Sequence, residues 1–227
     1  LLASSAASDV YKRQGFDDWQ LALRQGSQRQ KEIEKLSFKE QYLRGLCKLA
    51  HIEDCVEQWQ HRAEQDIGLT EYLGLTGEEH KTFLCGGRDA LAALLEPQRR
   101  KQRFVLYQLQ LDEENAIPFA FKDITALKAA GYEQPPAAMY YVAGSGEIYC
   151  PAEESDDTLL KRLFADCRER LPEGCRGRPM AVSDVVELNH GAKRAYYYVS
   201  GQDQFRQVKF SPMLAKKEIP EKTQERF

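Results

Sequence analysis

The sequence predicts an α+β protein: a helical N-terminal region, then a compact β-α-β-α-β-β-β domain with a mainly antiparallel sheet. Three observations predict it. Residues 28–66 hold no proline and one glycine, and are dominated by good helix formers. From residue 103 onward the apolar period shortens from ~3.6 towards 2. The last three apolar runs lie close together, and a hairpin turn signal joins the first two. The chain has 227 residues, 42% hydrophobic and 30% charged, enough for one large domain or two small ones. That composition excludes collagen-like and fully disordered classes. No apolar run approaches the ~18–20 residues that span a bilayer, so no membrane partner is expected.

Residues 1–14 (LLASSAASDVYKRQ) read as a non-native tail resembling an adapter or assembly scar, with the true N-terminus expected upstream. Residues 15–97 form the helical region. Leu36, Leu43, Cys47 and Ala50 share one helical azimuth, whereas Leu49, Ile52, Val56, Trp59 and Ala63 share the opposite one. The stripe therefore jumps near His51, through a break or through one helix serving two surfaces. Thr76 before Glu78 and Glu79 is a helix N-cap, Gly86 and Gly87 stop that helix, and 88–95 starts another that ends at Pro97. The basic run at 98–102 reads as a polar hinge between domains.

In the second domain, 103–111 alternates as a mostly buried strand, and 123–130 is a helix with Gly131 as its C-cap. A second strand covers 138–143, and Gly144-Ser-Gly146 is read as a turn. Ser155-Asp-Asp157 starts a helix whose apolar face is Leu159, Leu160, Leu163, Phe164 and Cys167. Strands at 184–188, 195–199 and 205–210 close the domain, with Asn189-His-Gly-Ala192 turning between the first two. The helices are expected on one face of the sheet. Residues 212–227 form a charged tail expected to be mobile.

Tyr107-Gln-Leu109, Tyr140-Tyr-Val142, Thr158-Leu-Leu160 with Leu163-Phe164, Gly177-Arg-Pro-Met-Ala-Val-Ser-Asp-Val-Val186, Ala195-Tyr-Tyr-Tyr-Val199 and Phe205 fit one pattern. Residues 103–211 resemble the YodL-like domain, a small module of Firmicutes often carried on mobile elements. Family members commonly follow Tyr-Tyr-Val with Asp and a Gly-Phe pair; here Ser200 and a longer Gly201-Gln-Asp-Gln-Phe205 stand instead. The resemblance implies no catalytic mechanism and carries over no site residues. The segment 69–84 also resembles short helical units in proteins of the same elements.

Ser183 and Asp184 precede a strand, where both side chains can fix a turn through backbone N–H groups. Cys47, His51 and Cys55 recur at i, i+4 and i+8, about 80° of one helix face, and so could start a zinc site. A fourth ligand would have to come from afar, such as His80 or Cys85, so no metal and no cofactor is expected. Six cysteines without a CxxC pair suit a reducing, cytoplasmic compartment. Tyr196, Tyr197 and Tyr198 lie on a strand, with aromatic surface on both faces of the sheet, and form the candidate interaction patch. Acidic groups match or outnumber basic ones in both halves (15 against 14 over 16–103, 19 against 16 over 104–227), so nucleic acid is not an expected partner.

The expected function is a non-enzymatic module that binds an unidentified protein, from a Gram-positive bacterium or its mobile element. The alternatives are a small hydrolase-like enzyme using Cys175, His190 or Asp184, in which neighbouring cations would activate Cys175, and a DNA-associated accessory protein of a conjugative element.

Overall fold

The computed structural model describes residues 31, 33–62, 67–111, 114–172 and 174–217. The 1–14 tail, residues 15–30 of the helical region and residues 218–227 of the C-terminal tail lie outside them. The chain divides into two units, Leu1–Leu94 and Leu95–Phe227. Among the described residues no helix is long and apolar enough to cross a membrane.

The first unit contains Phe38–Leu43 (α1), Ile52–Gln60 (α2), Leu69–Leu73 (α3) and most of Gly77–Leu95 (α4). The displaced apolar stripe is a true break. After α1 the chain turns at Gly45, with φ +71, and a 3-10 turn at Leu49–His51 leads into α2. Thr76 forms a capping box: its Oγ1 accepts the Glu79 N–H at 3.2 Å, and the Glu79 carboxylate accepts the Thr76 N–H at 2.8 Å. The same carboxylate holds Lys39 Nζ at 2.7 Å, joining α1 to the start of α4. Gly87, at φ 69 and ψ −162, divides α4 into two helical pieces, as the Gly86-Gly87 pair predicts.

The second unit is a five-stranded sheet of order β2-β1-β3-β4-β5, every neighbour antiparallel. Its strands are Arg99–Leu109 (β1), Tyr140–Pro151 (β2), Val185–His190 (β3), Lys193–Gly201 (β4) and Gln204–Val208 (β5). Ile124–Ala129 (α5) lies between β1 and β2, and Asp156–Cys167 (α6) between β2 and β3. Element order and class are those of the α+β prediction. Asp123 and Ser155 cap the two helices, each accepting a backbone N–H three residues on. All five apolar residues assigned to α6 are buried.

Four expectations are corrected. The basic run is not a hinge: Arg99–Leu109 is continuous strand, with Arg99 opposite Pro151 and Gln102 opposite Ile148. Its cations find partners there. Arg99 stacks on Tyr149 at 4.6 Å, Lys101 meets Glu147 at 3.2 Å and Arg100 reaches the Glu154 carbonyl at 3.0 Å. Nor is Gly144-Ser-Gly146 a turn; it is the middle of β2. Phe104 lies directly over Gly146, and a bulge against Leu106 and Tyr107 lets the strand switch which alternate residues face the α6 core.

The helices lie on opposite faces of the sheet, not on one. Phe104, Leu106 and Leu188 join the α6 core, whereas their strand neighbours Tyr107, Leu109 and Val185 join the α5 core with Phe119, Tyr140, Tyr198 and Phe210. Residues 212–217 are not a free tail either. Ala215 enters the α5 core, and Lys216 pairs with β2 through its N–H to Tyr140 O and its carbonyl to Val142 N–H, both 2.9 Å.

A Cβ at Gly146 would lie 2.8 Å from the Phe104 ring. Gly146→Ala is therefore expected to lose about 1–3 kcal/mol in urea unfolding through overpacking. An unchanged midpoint would contradict the close approach of Phe104 to β2.

Candidate functional site

A densely bonded polar group of the second unit lies where the loop before β3 crosses the end of β1. Gly177 has φ +126 and lies so close to Gln108 that a Cβ would collide with the amide oxygen. That approach lets Gln108 read the backbone of Arg178 twice. Gln108 Nε2 donates to Arg178 O at 2.7 Å, and Gln108 Oε1 accepts the Arg178 N–H at 3.2 Å and the Tyr141 hydroxyl at 2.9 Å. The Arg178 guanidinium then grips Asp184 bidentately, with Nη1 2.9 Å from Oδ2 and Nη2 bonded to Oδ1. Arg178 is 5% exposed and Asp184 is wholly buried.

Asp184 needs several donors because a buried carboxylate is costly unless satisfied. The Ala181 N–H supplies one at 2.9 Å, closing the turn assigned to Ser183 and Asp184 in the sequence. Burial pushes the Asp184 carboxyl above its ordinary value, against the opposing pull of Arg178, the Ala181 N–H and Gln108. Burial likewise raises the Tyr141 hydroxyl, to about 12.

Above this pair stands residue 121. Phe121 and Ser183 are the two non-glycine residues with left-handed φ among those described, at +58 and +79, and they bond to each other. The Phe121 N–H donates to Ser183 Oγ at 3.1 Å, and the ring of this residue, 50% exposed as a whole, covers the Arg178 guanidinium at 4.9 Å. A positive φ at a bulky residue is a true outlier and persists only where its surroundings over-determine it. Those surroundings are visible. Tyr198 Oη donates to the Lys122 carbonyl at 2.9 Å, Ser200 Oγ accepts the Ile124 N–H at 3.1 Å, and Phe119 is fully buried.

Residues 103–210 match the family model of the YodL-like domain. The match covers Gln108, Phe121, Tyr141, Arg178, Ser183 and Asp184, and agrees with the resemblance read over 103–211. No curated protein and no solved structure matches the chain. The Gly177–Val186 motif that carried the YodL-like resemblance is thus the stretch that builds the buried pair and the strained serine.

The other candidates lie elsewhere in the matched segment. Tyr198 is wholly buried and offers no surface. Tyr196 packs on Phe210 at 5.7 Å, and Tyr197 donates to Asp156 Oδ2 at 2.6 Å, so the three tyrosines do not form a free patch. Their alternation across the sheet is as read, but each face already has a covering element. His190 Nε2 lies 3.0 Å from the same Asp156 oxygen. Asp156 lies in the first turn of α6, so this contact joins the β3–β4 turn to that helix. Cys175 sits apart from it, its Sγ 3.8 Å from Ser145 O, and burial pushes its thiol up rather than activating it. His190, Cys175 and Asp184 therefore engage three different sets of neighbours.

In the first unit Cys47, His51 and Cys55 do not share a helix: Cys47 lies in the loop after α1, His51 in the 3-10 turn and Cys55 in α2. All three line one hollow of about 510 Å³, together with Asp54 and Tyr72. Among the described residues no group of three His, Cys, Asp or Glu side chains could hold a metal. His80 bonds Thr70 Oγ1 at 2.7 Å and Cys85 is exposed.

Sequence reasoning missed Phe121 and Arg178. For Arg178 a signal existed: an arginine and an aspartate six residues apart, flanking the apolar Met180-Ala-Val182, are the composition of a buried pair. Nothing in the composition foretold the sign of φ at Phe121.

Two outcomes follow. Asp184→Ala leaves Arg178 buried and unpaired, so urea unfolding should show a loss of about 3–5 kcal/mol; a loss below 1 kcal/mol would contradict the pair's burial. Tyr141 keeps its proton to about pH 12 when folded but releases it near 10 when unfolded. Its contribution is therefore present below pH 10 and is lost as pH rises towards 12. Tyr141→Phe should make the alkaline fall in stability shallower across that window, read as urea midpoints at successive pH values.

Proposed function

We propose that this chain is a protein-docking module, not an enzyme, and that Phe121 anchors its partner. The single observation that carries the reading is a half-exposed aromatic ring held at a strained backbone position by partners on several sides. An apolar ring left free to relax would turn towards the core; this one is held outward. Ile117, on the same loop, is a second exposed apolar side chain, at 63%. Aromatic side chains and arginine are enriched in binding interfaces and hot spots, and a ring already turned outward lowers the ordering cost when the partner arrives.

This moves the anchor from the tyrosine run at 196–198 to the loop that Tyr198 supports from beneath. The YodL-like resemblance supports an origin in a Gram-positive host or one of its mobile elements. Six cysteines without a CxxC pair support a reducing, cytoplasmic setting.

The test uses the full chain, wild type and Phe121→Ala, as baits in a Gram-positive lysate, with Arg206→Ala as an exposed control. A partner held in stoichiometric amount by the wild type should be retained by the control and weakened at least about 30-fold by Phe121→Ala, the magnitude of a hot-spot truncation. The Phe121→Ala chain should lose no more than about 1 kcal/mol in urea unfolding, the size of one exposed cation–π contact, and so remain folded. Equal retention by all three baits would remove Phe121 as the anchor.

A further inference from the structure

The two strained residues are not fixed equally. Ser183 is held on three sides: its N–H donates to Val199 O at 2.9 Å, its carbonyl accepts the Tyr140 hydroxyl at 2.9 Å, and its Oγ accepts from Phe121. It is wholly buried. Phe121 is held by the N–H bond to that Oγ and by its ring on Arg178, and half the residue faces solvent. On either side the chain is pinned, by Phe119 in the α5 core and by the Ile124 N–H on Ser200 Oγ.

We propose that Ser183 and Phe121 form a two-state latch that regulates the docking surface, with Ser183 as the fixed catch and Phe121 as the moving part. In the closed state the Phe121 N–H sits on Ser183 Oγ and the ring lies outward on Arg178. In the open state that bond is broken, φ at 121 returns to negative values, and the ring leaves the guanidinium. Strain at Phe121 drives opening; the hydrogen bond and the cation–π contact oppose it, so the closed state outweighs the open one by only about tenfold. The movement is confined to Phe121 itself, because the Ala120 N–H is held by Ala116 O and the Lys122 carbonyl by Tyr198.

The biological use of the latch rests on the docking reading, but its existence does not. A partner that recognises the outward ring would bind the closed state and shift the population towards it.

The measurement is amide hydrogen exchange by NMR on the full chain without a partner. Ser183→Ala and Ser183→Gly both delete the acceptor, and the glycine variant also relieves the positive φ, so a folded comparison survives if alanine is poorly tolerated. Both should raise exchange at the Phe121 amide about tenfold, in line with one lost hydrogen bond. Exchange at the Ile124 and Val199 amides should change less than twofold. Unchanged exchange at 121 in both serine variants would overturn the latch, as would an equal rise at all three amides, which would make Ser183 a general support of the fold. A latch that fails here leaves the docking reading standing on its own capture test, and the reverse also holds.

Discussion

The second unit depends on placing Arg178 and Asp184 together away from water. Neither charge can be buried alone, because desolvation costs several kcal/mol per ion. Each therefore dictates its surroundings. Asp184 draws the Ala181 N–H inward and so bends the chain just before β3; Arg178 draws the 177–178 backbone onto Gln108, which only a glycine at 177 permits. The strained geometry at Ser183 is a consequence of that bend, with its N–H and the Asp184 carbonyl both locked to Val199. A hydrophobic pair could fill the same volume, but it would not specify which backbone groups must converge.

From that centre, order passes to the surface in a short series of contacts. Tyr140 and Tyr141 are neighbours on β2 and point to opposite faces. One hydroxyl meets the Ser183 carbonyl and the other meets Gln108. Tyr198 on β4 reaches Lys122. Three tyrosines thus use a hydrophobic ring to fill a core and a hydroxyl to hold a loop, and that burial raises the pKa of all three. The outward ring of Phe121 is the surface end of this chain of contacts.

What the sequence made legible was local. The Thr76 and Ser155 caps, the Gly87 break, the five-residue apolar face of α6 and the tight turn at Gly191 each depend on residues within one or two helical turns or one hairpin. What it concealed was mostly long-range. The cations of the 98–102 run resemble a solvated hinge until Tyr149, Glu147 and Glu154 arrive from about fifty residues away. A glycine pair in a strand resembles a turn when the ring that covers it belongs to another strand. Alternation within 104–109 showed that both faces of β1 are apolar, yet not that a different helix covers each. The family resemblance located the important motif, Gly177–Val186, without saying what it builds.

The central claim is that the buried ion pair holds the aromatic anchor outward, so the most direct measurement is the coupling between them. A double-mutant cycle of Asp184→Asn and Phe121→Gly, read by urea unfolding, isolates it. The account predicts a coupling on the order of 1 kcal/mol or more, because losing the pair frees Arg178 from its place under the ring and removes the constraint that Phe121 strains against. Strict additivity, within about 0.3 kcal/mol, would show that the ion pair and the exposed ring are independent features and would contradict the account.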